Sequence, residues 1–191
     1  ASVKPSATPL MCALAISTAA VLTGYWALGG LVAIIFAVGY YGGFLLWLTR
    51  PEPVPYAQIR WPFWLTLAAF LILHKTEERV AGFFEAITWL SGRSVPVMTD
   101  PAVIAMLATG FVPWLLIPWL AGKDRALGTY LAWTFFASMG LSELAHFVLP
   151  LLLKQAYGYF PGMISVIVLA PLAWWGMWRM TRPCPGQRMG S

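Results

Sequence analysis

The stretch Leu73-His74-Lys75-Thr76-Glu77-Glu78-Arg79 sets five ionisable residues within six positions, inside a hydrophobic segment long enough to cross a membrane. On insertion scales each charged side chain near a bilayer centre costs a few kcal/mol, so such a group marks a pathway, a ligand site or a buried pair. The surrounding chain is 60% hydrophobic and 10% charged, with mean hydropathy +0.73, far outside the composition of an ordinary soluble domain. Apolar runs of about 20 residues recur, which selects an all-α polytopic transmembrane bundle over the alternating pattern of a membrane barrel. One domain accounts for 191 residues.

Six spans are predicted, near residues 9–27, 30–49, 61–90, 101–120, 127–152 and 159–180. No charge falls between Lys4 and Arg50, so two spans share that run, with the break between Gly24-Tyr25-Trp26 and Gly29-Gly30. Lys4 followed by the small residues from Ala13 to Ala20 imitates a secretory leader; we read the segment as a retained span. The proline-rich stretch from Thr49 to Pro55 is a loop. Asp100-Pro101 has the form of a helix start, with Asp100 as N-cap, and Pro113 and Pro118 are expected to kink the helix that follows. No internal repeat is evident.

The formal charge of +5 does not point to nucleic acid, because the basic residues are scattered over short loops rather than gathered in one patch. With six spans, one side collects Lys4, Arg50, Arg60, Lys123, Arg125, Arg179, Arg182 and Arg188, and the other only Arg93 and Lys154. This asymmetry puts both termini in the cytoplasm, and Trp47, Trp61, Trp119 and Trp178 fall near span ends as interfacial belts. Reporter fusions at Gly92 and Ser191 are expected to report opposite sides of the membrane; the same side for both would overturn this topology. Cys12 and Cys184 have neither metal nor disulfide spacing.

The third and fifth spans then both run outward from the cytoplasm. At 1.5 Å per residue, His74 and Glu78 lie roughly 20 and 26 Å along the third, and Glu143 and His146 roughly 24 and 29 Å along the fifth. The two polar clusters share a depth in the outward half of the bilayer. One stripe of the third span carries His74, Glu77, Glu78 and Glu85, with Lys75 and Arg79 on the adjoining face. Glu143 and His146 form an i, i+3 pair, and Ala137, Ser138 and Gly140 nearby allow close helix approach.

Paired carboxylates and imidazoles from facing helices are a recurrent way to surround one or two metal ions within a bundle, and this donor set suits Zn, Fe or Mn. An internal ion-pair network of Glu77, Glu78 and Glu85 with Lys75 and Arg79 is the plainer alternative. Four buried carboxylates against two cations leave an excess of two negative charges, which a purely paired network does not balance. A divalent cation, protons on the glutamates or a cationic ligand would. The expected metal ligands are His74, Glu143 and His146 with Glu77, Glu78 or both, while Lys75, Arg79 and Glu85 support them.

The motifs His74-Lys75-Thr76-Glu77-Glu78, Ser142-Glu143-Leu144-Ala145-His146 and Tyr159-Phe160-Pro161-Gly162, followed by an apolar helix containing Pro171, resemble the membrane-protein family named for its HXXEE motif. The resemblance covers roughly residues 60 to 175 and implies a small multi-span protein of bacterial type, in a cytoplasmic membrane. It brings residues and no settled reaction. Tyr159 opens the sixth span on the same side as the cluster, where it can serve as a hydrogen-bond donor to the site or as an interfacial tyrosine.

Three functions follow. The first is a membrane enzyme, hydrolase or oxidoreductase, whose metal acts on a membrane lipid or other hydrophobic, isoprenoid-like molecule, with Glu77, Glu78 and Tyr159 as catalytic groups. The second is a cofactorless acid–base isomerase or cyclase of a sterol- or terpene-like substrate. The third is a proton- or ion-coupled carrier, although no repeats or paired broken helices favour it.

Overall fold

The uncharged run after Lys4 folds as two spanning helices, α1 (Ala7–Leu28) and α2 (Gly30–Thr49), joined at Gly29. In this computed structural model, which describes residues 5–123, 125–153 and 156–182, Gly29 takes φ of 90°, and Arg93 Nη1 donates to Trp26 O at 3.1 Å beside it. Lys4, Asp124, Lys154, Gln155, Cys184 and Arg188, which enter the loop and topology readings, lie outside the described residues.

Four further helices are long and apolar enough to cross a membrane: α3 (Tyr56–Ala81), α5 (Pro101–Ala121), α6 (Ala126–Leu152) and α7 (Met163–Met180). With no strand among the described residues, the fold is an all-α polytopic bundle of six such helices. Asp100 caps α5 as its sequence implies, its Oδ1 accepting from Ala102 N at 2.8 Å. The prolines break α5 into Pro101–Gly110, Val112–Leu115 and Ile117–Lys123.

The third span differs from its predicted course. It begins at Tyr56 and ends at Ala81, because Gly82 takes the left-handed conformation (φ 75°, ψ 46°) that terminates a helix. Residues Phe83–Ser91 form a separate helix, α4, of nine residues, too short to cross a bilayer. Glu85 therefore leaves the stripe shared by His74 and Glu78 and is exposed on α4. At the same end of the bundle, the predicted start of the last span near residue 159 is an irregular approach and turn, and the helix begins at Met163.

Helix α6 is the central post, buried at every residue from 128 to 140, and it contacts α1, α2, α5 and α7. Small residues permit this: a Cβ on Gly43 of α2 would lie 2.5 Å from Thr134 Cα, so only glycine allows the two backbones to meet there. Trp47 is the exception among the predicted interfacial tryptophans. It is fully buried against Tyr130 of α6, ring centroids 5.5 Å apart, whereas Trp61, Trp119 and Trp178 are exposed. Helix α7 lies against both α3 and α6, so it stands beside both helices that carry ionisable residues.

Candidate functional site

Two departures from regular α-helix aim the site residues. In α3 the segment Ala69–His74 is π-helical, and an inserted residue turns the helix phase by about 100°, which resets the face on which His74 emerges. Phe70 stacks on the His74 ring at 5.7 Å. In α6 the α-helix stops at Gly140 and a 3-10 turn, Ser142–Leu144, follows. Glu143 lies in this turn and His146 in the short α-helical segment Ala145–Val148 that follows, and the i, i+3 spacing brings the two side chains together, His146 Nε2 3.1 Å from Glu143 Oε2. Ser142 anchors the turn by donating from Oγ to Ile35 O of α2 at 2.8 Å.

His74, Glu78, Glu143 and His146 converge, one ligand atom from each lying within 4.8 Å of the others. They alternate as a ring. His74 Nε2 is 3.2 Å from Glu78 Oε1 and 3.1 Å from Glu143 Oε2; His146 Nε2 is 3.5 Å from Glu78 Oε1 and 3.1 Å from Glu143 Oε2. The two imidazoles are nearly perpendicular, at 87°. A square of side about 3.2 Å has its centre about 2.3 Å from each corner, against metal–ligand bonds of about 2.0–2.2 Å for zinc with nitrogen or oxygen. A contraction of a few tenths of an ångström would seat an ion.

The outer hydrogen bonds decide which imidazole nitrogens face that centre. His146 Nδ1 is bonded to Pro161 O, and a carbonyl can only accept, so a neutral His146 carries its proton on Nδ1 and turns a bare Nε2 inward. Ser165 donates its hydroxyl proton to Gly162 O at 3.1 Å and accepts from His74 Nδ1 at 2.9 Å, which bares His74 Nε2 as well. That nitrogen is buried without a hydrogen-bond partner among the described residues. With both imidazoles neutral, two lone pairs and two carboxylates meet with no proton among them. Such an array needs a cation or an additional proton on each ring.

No family model, curated protein or solved structure matches the chain. Its function has to be read from the site's own chemistry. The protein carries a buried His/Glu group in a membrane-type bundle, with ligand types and spacing that could hold a metal ion.

Glu77 is not part of this group. Adjacent helical residues diverge by about 100°, and with Glu78 turned inward Glu77 reaches α7 instead. Its Oε1 accepts from Tyr159 Oη at 2.8 Å and from Ile164 N at 3.1 Å, and its Oε2 from Ser165 N at 2.7 Å. A carboxylate there satisfies orphan N–H groups in the first turn of α7 and complements the helix dipole. Tyr159, more than half exposed, belongs to this clamp; partial burial, then the Glu77 carboxylate, raises its phenol above the ordinary tyrosine range. Neither Glu77 nor Tyr159 lines the cavity beside the ring.

Lys75 ion-pairs with Glu78 Oε2 and lies 4.6 Å from the Phe70 ring centroid. Glu77, held by α7, and the exposed Glu85 and Arg79 leave the buried set, which lowers the charge excess from two to one: Glu78 and Glu143 against Lys75. The imbalance persists at reduced size.

Because Ser165 and Pro161 orient the two histidines, the clamp positions the ring at one remove. Glu77→Ala leaves two backbone donors and a phenol without their acceptor, and metal affinity is expected to fall about 10- to 100-fold, as for other outer-layer partners. Glu77→Gln, which keeps a carbonyl acceptor, should recover part of it. Equal metal loading across wild type and both variants would deny the clamp its positioning role.

A cavity of about 570 Å³ adjoins the ring, with Glu78, Glu143 and His146 on its wall. Most of the remaining lining is apolar, including Leu28, Val32, Phe36, Phe83 and Met106, and Lys75, Arg79 and Glu85 add charge. Sequence reasoning missed Ser165, the Pro161 carbonyl and this cavity. A serine in the first turn after the Phe160-Pro161-Gly162 turn was the available signal for the first two.

Proposed function

We propose that the chain is an integral membrane enzyme in which His74, Glu78, Glu143 and His146 hold a divalent transition metal, zinc, iron or manganese. The substrate we assign is a lipidic or isoprenoid-like molecule lodged in the adjoining cavity. One observation carries this reading: two imidazoles whose outer hydrogen bonds bare their Nε2 atoms face two carboxylates across a centre of metal-ion size. When bound, such an ion supplies a Lewis acid and a water or oxygen activated at neutral pH. The apolar walls would exclude bulk water and orient a hydrophobic chain, and Lys75 would hold one oxygen of Glu78 away from competing protonation. Glu143, touching both histidines, is the group placed to exchange a proton with a molecule in the cavity.

Membership in the HXXEE family, a bacterial cytoplasmic membrane and cytoplasmic termini belong to the same proposal, supported by the three motifs and the eight-to-two basic asymmetry. The test is elemental analysis of protein purified in detergent without chelator and resupplied with Zn, Fe and Mn. About one tightly held ion per chain is expected, lost on dialysis against a strong chelator. Less than about a tenth of an ion per chain would withdraw the metal. The same N···O distances would then be read as hydrogen bonds from doubly protonated imidazoles, and the acid–base isomerase would lead.

A further inference from the structure

Arg79 and the size of the cavity carry the reading one step further, to the class of substrate. We infer that the cavity takes a single-chain amphiphile with an anionic head, phosphate or carboxylate, gripped by Arg79 beside the His/Glu ring. The inference rests on the metal reading above.

The first observation is volume. At about 570 Å³ the cavity falls in the range of about 300–1,000 Å³ that encloses one small, largely apolar ligand. A two-chain phospholipid of about 50 heavy atoms is larger than the ligands that sites of this class enclose. One chain suits a site of that class.

The second observation is the arrangement of polarity along the cavity. Arg79 lines it two residues before α3 ends at Ala81, at the level where headgroups meet the end of a spanning helix. Phe36 and Phe111 line it deeper, about 9 and 15 Å along α2 and α5 from their outward ends. A head at Arg79 therefore leaves a tail pointing toward the bilayer centre.

The third is charge. Arg79 makes no ion pair among the described residues, although Glu85 lines the same cavity on α4. Lys75 and Arg79 against Glu78, Glu85 and Glu143 leave one negative charge on the cavity wall, and a divalent ion in the ring converts that to one positive charge. An anionic head neutralises the loaded cavity, and Arg79 is its direct partner. Arginine suits the task, since its planar fork binds carboxylate and phosphate oxygens in pairs.

Binding is measured on metal-loaded protein in phosphatidylcholine nanodiscs, with empty nanodiscs as the partition control. The probes are dodecyl phosphate, dodecanoate, neutral 1-dodecanoylglycerol and the two-chain dioleoyl phosphatidate. At least one single-chain anion should bind saturably and more tightly than the neutral probe, with phosphatidate excluded. Arg79→Gln should weaken that anion about tenfold, the scale of a lost charge-assisted hydrogen bond, and leave the neutral probe unchanged. Arg79→Lys should retain part of the affinity, separating charge from packing. Anions held no more tightly than 1-dodecanoylglycerol, or held equally by Arg79→Gln, would overturn the inference. Metal content is read on the same samples. A loaded protein indifferent to Arg79 fails this inference alone, and an unloaded wild type that still holds an anion through Arg79 fails the metal reading alone.

Discussion

Glu143→Gln is expected to lower metal affinity about 100- to 1000-fold while leaving the thermal midpoint of the metal-free protein unchanged or raised. The first half follows from sharing roughly 10–16 kcal/mol of site energy among four ligands, which gives about 3 kcal/mol for one. Glu143 Oε2 is also the corner common to both histidines, 3.1 Å from each Nε2. The second half follows from the tautomers. If both inward nitrogens are bare lone pairs, a carboxylate repels them when no ion is present, whereas a glutamine amide can donate an N–H to one of them. Doubly protonated imidazoles predict the reverse: Glu143→Gln would strand buried positive charge, at about 3–5 kcal/mol. Unfolding of wild type and variant, each stripped with chelator, therefore reads the protonation state directly. A large fall in the variant's midpoint would replace the metal with an acid–base pair.

How much of this was legible beforehand varies by residue, for physical reasons. The spans were readable because a bilayer imposes its thickness on every crossing segment, and the shared depth of His74, Glu78, Glu143 and His146 follows from a fixed rise per residue. Choosing between Glu77 and Glu78 was not possible from α3 alone. Both are near the predicted stripe, and the choice depends on where α7 stands, since its first-turn N–H groups claim one carboxylate. The π-helical segment before His74 and the 3-10 turn at Glu143 were equally hidden. Each is a local compromise between helix geometry and neighbouring packing, and only the second has a breaker residue beside it, Gly140.

Gly82 and Trp47 show the limits in opposite directions. Glycine within an apolar run is ambiguous, and the left-handed turn that ends α3 at Gly82 depends on where Phe83 and Phe84 can pack. Trp47 lies near a span end, where tryptophan usually meets the interface, yet it faces the most buried helix of the bundle. Position along a helix was predictable there; direction around it was not.

Gly162→Ala is expected to abolish stoichiometric metal loading and to lower the unfolding midpoint. Gly162 has φ of 97°, a conformation that costs an L-residue about 1–3 kcal/mol. A Cβ there would also stand 2.5 Å from His146 Cε1 and Nδ1, closer than such contacts occur, and 3.0 Å from His74 Cε1, tighter than most. The glycine backbone is the surface against which both imidazoles rest. Relief requires either ring rotation, which breaks the His146 Nδ1 bond to Pro161 O and the His74 bond to Ser165, or movement of the turn that begins α7. Either displaces two ligands together, so affinity should fall by more than about 100-fold, more than for a variant that disturbs one outer hydrogen bond. Gly42→Ala is the matched control. It lies within α2, with nothing within 4 Å of the added Cβ, and should leave metal content unchanged. Full loading in Gly162→Ala would mean that the two histidines do not rest on this turn when the ion is bound.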